Sequence, residues 1–146
     1  MKKRSLRAKR PMTKDMLLPL AESVGRRTSL GHHLALATLR SGKGSSDTVG
    51  RLFHSIYVAY FVHEATTGRA ELDAFRAAEA VLHKCAVAAK ENGIYEISGD
   101  GCAAVEQVLA IHDRQLESIP RHVIENAQER LDRFLSTDDL SPIASA

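Results

Sequence analysis

Cysteine is scarce in this chain, and long apolar runs are missing altogether. Cys85 and Cys102 are the only two thiols in 146 residues, and no CxxC pair exists to make a zinc knuckle or a redox dithiol. They read as two small core residues. A disulfide between them needs adjacent helices, and nothing suggests secretion, so a reducing cytoplasmic compartment is expected. The longest apolar run, Ile56 to Val62, falls far short of the ~20 residues that cross a bilayer, and His54, His63 and Glu64 flank it. No membrane span is expected. Met16-Leu17-Leu18-Pro19-Leu20-Ala21 is also too short for a secretory signal; it follows Lys14 and Asp15 and lacks a small-x-small cleavage site.

Acid is absent from the first eleven positions, which hold six bases: Lys2, Lys3, Arg4, Arg7, Lys9 and Arg10. Of 20 Lys and Arg in the chain, 14 therefore follow Pro11, against 18 Asp and Glu, so the body carries a net charge of −4 while the whole chain is at +2. A basic arm on an acidic body suggests an electrostatic partner for the arm. Residues 1–11 contain nothing to bury, their like charges repel, and they are expected to be disordered. With 44% hydrophobic and 26% charged residues, the remainder is the length and composition of one ordinary domain.

Helical spacing dominates that remainder. Thr13 is a candidate N-cap for a first helix carrying Met16, Leu17, Leu20 and Val24, with Gly25 as its stop and Pro19 as a complication. Ser29 precedes a second apolar stretch, Leu30 to Leu39, and Ser41-Gly42-Lys43-Gly44-Ser45-Ser46 reads as a loop. Ser46 or Asp47 then caps a long helix to about Thr66, apolar on nearly every side and holding four of the seven aromatic residues: Phe53, Tyr57, Tyr60 and Phe61. A helix apolar all round is a central helix. Gly68 closes it, and the alanine-rich Arg69 to Asn92 follows, stopped by Asn92-Gly93. Ile94 to Ile97 reads as an extended connection, because a lone strand has no partner. Asp100 is the expected cap of a helix carrying Val105, Leu109, His112 and Leu116, and Pro120 starts a last one with Val123, Ala127, Leu131 and Leu135 on one face. Ser136 onward reads as a tail.

Candidate chemistry is thin. A helix-turn-helix over Leu34 to Tyr57 fails, because its connection is too long and its second helix too apolar to lie in a groove. The glycine loop departs from a phosphate-binding loop at Ala37 and Gly44. Among seven histidines, His32 and His33 are adjacent and point in different directions. Glu79 with His83, and His122 with Glu125, have same-face spacing and read as surface ion pairs or caps. No HExxH or Glu-x-x-His sequence implies a metal, no G-x-S-x-G elbow implies a nucleophile, and no cofactor is implied. Tyr57, Tyr60, Phe61 and His63 read as core, with a ligand pocket or an oligomer interface as the alternative.

The expectation is an all-α, single-domain bundle of five or six helices: a disordered basic N-terminal arm at 1–11, a helical domain at 12–136 and a flexible tail at 137–146. Its expected role is that of a small, non-enzymatic accessory or regulatory protein. Lys2, Lys3, Arg4, Arg7, Lys9 and Arg10 would contact nucleic-acid phosphates, with Arg26 and Arg27 extending the basic surface. The body would supply a homo-oligomer or protein contact. The alternative is a helical protein-protein interaction or scaffold protein that binds no nucleic acid.

Overall fold

The computed structural model describes residues 12–68 and 70–143 as a single-domain bundle of five α-helices. They are α1 (Glu22–Arg40), α2 (Ser46–Thr67), α3 (Leu72–Asn92), α4 (Gly99–Ser118) and α5 (Arg121–Leu135), preceded by a 3-10 turn at Lys14–Leu17. The arm expected at 1–11 lies outside the described residues.

The first two expected helices are replaced by the 3-10 turn and one long α1. Thr13 makes no side-chain cap, the chain is extended at Leu18, and α1 runs through Gly25 to Arg40. Pro19 accounts for the break: a proline disfavours helical backbone in the residue before it, so the helix restarts beyond it. Gly25 does not stop α1 because that turn packs against α4, where a Cβ would sit 3.6 Å from the Leu116 carbonyl oxygen. Two expected caps also move upstream. Ser45, not Ser46 or Asp47, caps α2 through a reciprocal capping box with Thr48. Ser98, not Asp100, caps α4 by accepting from the Gly101 amide.

α2 packs against every other helix. Leu52, Ile56, Ala59 and Val62 are fully buried on it, and Tyr60 is 2% exposed. The expected central helix is therefore central, and Tyr57, Tyr60, Phe61 and His63 are all buried. Tyr60 stands edge-on to Phe75 of α3 with ring centroids 5.8 Å apart, and Arg130 of α5 lies over the Phe61 ring. Cys85 and Cys102 are free, buried thiols, and burial pushes both up from the ordinary thiol range.

Gly93 ends α3 in the left-handed region, at φ 73°. The following segment passes the glycine loop as a single bridge between Gly44 and Tyr95, with no strand among the described residues. The approach is close at Gly44: a Cβ there would lie 2.3 Å from Leu39 Cδ2 and 3.2 Å from the Tyr95 carbonyl oxygen, so a larger residue requires the Leu39 side chain to shift. Where a flexible tail is expected, Ile143 is buried and the Ser141 hydroxyl donates to Glu79, which ties this stretch to the body.

Candidate functional site

The expected basic surface divides on folding. Lys2, Lys3, Arg4, Arg7, Lys9 and Arg10 lie outside the described residues. Arg26 and Arg27 are neighbours on α1 but serve different clefts, because successive helical residues point about 100° apart. Arg26 pairs with Glu22 one turn earlier and lines a groove with Leu20, Gly25, Ser29 and Asp113. Arg27 opens instead into a cleft of about 630 Å³ between α1 and α2, together with Thr28, His32, Asp47, Arg51 and His54. Neither Arg27 nor Arg51 has an ion-pair partner among the described residues. Two unneutralised guanidiniums on facing helices make this an anion-attracting cleft. Asp47, its one carboxylate, sits in the first turn of α2, where the amide dipoles favour negative charge.

Behind the cleft lies a polar network between α1 and α4. Asp113 accepts from the Ser29 hydroxyl at 2.6 Å and from His33 Nε2 at 2.8 Å; a carboxylate can only accept, so His33 carries its proton on Nε2. Burial works to raise Asp113, but the bonds from Ser29 and His33 and the neighbouring histidines outweigh it and hold the carboxyl below its ordinary range. Ser, His and Asp meet here in an order that does not activate a nucleophile. The serine proton goes to the aspartate, whereas a nucleophilic serine must give it to the histidine.

His32 leaves the other side of α1 and stacks on His112, with ring centroids 5.4 Å apart. The Gln115 amide donates to the Ala59 carbonyl, so its oxygen is left to accept from His112 Nδ1 at 2.8 Å. Burial, then the His112 charge, lowers His32 to about 4, and burial lowers His112 as well. His32 Nδ1 is buried with no hydrogen-bond partner. The expected divergence of His32 and His33 holds, but both reach α4. Among the described residues no group of three or more His, Cys, Asp or Glu is placed to hold a metal ion.

A second cavity, of about 680 Å³, opens between α2, α3 and α5 and is largely apolar, lined by Phe53, Tyr57, Ala80, Leu131, Leu135 and Leu140. At its edge Glu79 Oε2 accepts from both the Tyr57 and Ser141 hydroxyls, at 2.7 and 2.6 Å. The ion pairs expected from spacing are not what forms: Glu79 is taken by these hydroxyls, and Glu125 by Arg121. Burial and the Glu79 bond raise the Tyr57 phenol.

Arg51, His54 and the Ser29–His33–Asp113 constellation escape a reading of the sequence, since each joins residues on separate helices and none has a local spacing signature. Among the described residues no helix is long and apolar enough to cross a membrane. No protein-family model matches the chain, and comparison with curated proteins and with solved structures likewise finds no match.

Proposed function

We propose that this chain is a small, non-enzymatic accessory protein that contacts nucleic-acid phosphates through its basic N-terminal segment. The observation that carries the reading is the charge split: six bases and no acid in residues 1–11, ahead of an acidic body. Bases at that density release counterions from a phosphate backbone and need no prepared pocket. The unpaired guanidiniums of Arg27 and Arg51 support it, as a second place on the body where a phosphate gains a charge-assisted contact. Arg26, engaged by Glu22, contributes less.

The test is binding of the full chain, and of a chain lacking residues 1–11, to labelled duplex and single-stranded DNA across a salt series. With about five phosphates neutralised by the segment, the log–log salt slope is near −4 to −5 on duplex. Truncation is expected to remove most of that slope. A full chain that binds neither strand form near physiological salt overturns the reading.

A second reading, a protein-protein contact, is favoured by Leu30 and Leu34, one turn apart on α1 and 58% and 57% exposed. It predicts a concentration-dependent sedimentation coefficient that Leu34→Glu abolishes while DNA binding is unchanged.

A further inference from the structure

The basic α1/α2 cleft and the apolar α2/α3/α5 cavity share two lining residues, Gly50 and His54, one turn apart on α2. α2 is thus a ridge between them, and at Gly50 the ridge is low. A Cβ built there meets no atom within 4 Å beyond its chain neighbours and the adjacent helix backbone, so position 50 faces open space. On one side stand Arg27 and Arg51, guanidiniums without an anion; on the other, Phe53, Tyr57 and Leu131 enclose apolar space.

We infer that the two spaces form one site for a medium-chain fatty carboxylate, its head between Arg27 and Arg51 and its alkyl chain crossing Gly50 into the apolar cavity. Charge complementarity selects the sign of the head. Arg27 and Arg51 lack a partner, whereas Glu79, the carboxylate at the cavity, already accepts two hydroxyl protons. Among the described residues Asp47 is the one carboxylate in the cleft against two guanidiniums, and it pairs with neither. The cavity's volume of about 680 Å³ lies within the range of small-molecule sites, roughly 300–1,000 Å³. Leu135 and Leu140 at its edge are 62% and 97% exposed, so an alkyl chain seated there removes apolar surface that the fold leaves wet. Phosphates and the carboxylate head would meet the same two guanidiniums, but binding of the carboxylate is measured without nucleic acid and does not rest on the nucleic-acid reading.

The experiment is titration calorimetry of the full chain with dodecanoate, dodecylamine and dodecanol, each below its micellar concentration. Dodecanoate is expected to bind with at least roughly tenfold higher affinity than either of the others, and the double variant Arg27→Glu/Arg51→Glu to lose at least that factor. Gly50→Leu is the decisive variant, because it fills the crossing between the two spaces while leaving Arg27, Arg51 and the aromatic lining of the cavity in place. A residue with better helix propensity than glycine at an exposed helical position keeps the fold, which a melting curve verifies. Loss of dodecanoate binding by Gly50→Leu at unchanged or higher Tm supports the joined site. Three results overturn it: preferential binding of dodecylamine, which makes Glu79 the head partner; dodecanoate binding unaffected by Gly50→Leu; or no dodecanoate binding by the folded full chain.

Discussion

The two faces of α2 are built from different materials. Toward α3 and α5 it presents mainly rings and aliphatic chains, with Tyr60 edge-on to Phe75, and the titratable groups there are held by partners, Tyr57 by Glu79 and Glu64 by Arg130. Toward α4 the Ala59 carbonyl is met by Gln115, and Gln115 holds His112, against which α1 lays His32. Ser29, His33 and Asp113 continue that polar seam at the edge. An apolar interface stabilises wherever water is excluded, and is indifferent to pH. A polar seam stabilises only while each donor has its acceptor, and its histidines must stay neutral. One helix therefore carries a core held mainly by apolar packing on one side and a proton-sensitive joint on the other.

The sharpest way to break the comparison is to damage the apolar side. Phe75 is fully buried and contacts the rings of both Tyr60 and His63. Phe75→Ala should cost about 3–5 kcal/mol, as large-to-small core substitutions of aromatics do. Urea unfolding should return nearly the same loss at pH 7 and pH 5, because the cavity it leaves removes packing and not charge.

This division also decides what could be read from the sequence. The apolar side was legible: a helix apolar all round, four aromatic residues within it and glycines at both of its flanks place α2 at the centre before any coordinates are seen. Gly68 and Gly93 as stops are legible for the same local reason, since both take positive φ. The seam was not. His32 and His112 sit eighty positions apart, and nothing within one helical turn of either signals that they meet. Arg27 and Arg51 likewise become neighbours in one cleft only when α1 packs on α2. Pro19 was the instructive failure, because its local veto outweighed the apolar spacing from Met16 to Val24 that would have carried a helix through it.

The polar side should show itself in pH dependence. A histidine whose folded pKa is depressed binds fewer protons in the native than in the unfolded state, so stability rises with pH across the interval between the two values. For His32 that interval runs from about 4 to the ordinary 6.5, and His112 shifts in the same direction. Stability should therefore be full above pH 6.5 and fall on acidification toward pH 4, by about 2 kcal/mol after allowance for the partial exposure of His32. Asp113, His33 and His54 surround the pair and set its field. His32→Phe keeps a ring against His112 and removes an unpartnered buried nitrogen. It should remove the share of this limb that His32 carries, leaving that of His112, and, at pH 7, leave the protein at least as stable as the wild type. Chemical denaturation at half-unit pH steps checks both; an unchanged limb in His32→Phe would remove the histidine stack as its source.

Asp113 offers the finest cut, because it acts in the same direction as the histidines but in a lower pH window. Its carboxyl is held below the ordinary 3.8, so the stability it contributes is present above that value and is lost only as pH falls through the lower folded value. Asp113→Asn preserves shape: the amide oxygen still accepts from Ser29, and the amide nitrogen can donate to His33 if that ring moves its proton to Nδ1. What disappears is the charge, so the loss at pH 7 should be small, about 1 kcal/mol. The diagnostic lies lower. Below pH 3.8 the wild type loses a contribution that the asparagine variant never had, so their unfolding free energies should converge there, while both retain the histidine limb between pH 4 and 6.5. Two curves that stay parallel down to pH 3 would mean that Asp113 acts in the seam as a hydrogen-bond acceptor alone, and that its charge does nothing to hold α1 against α4.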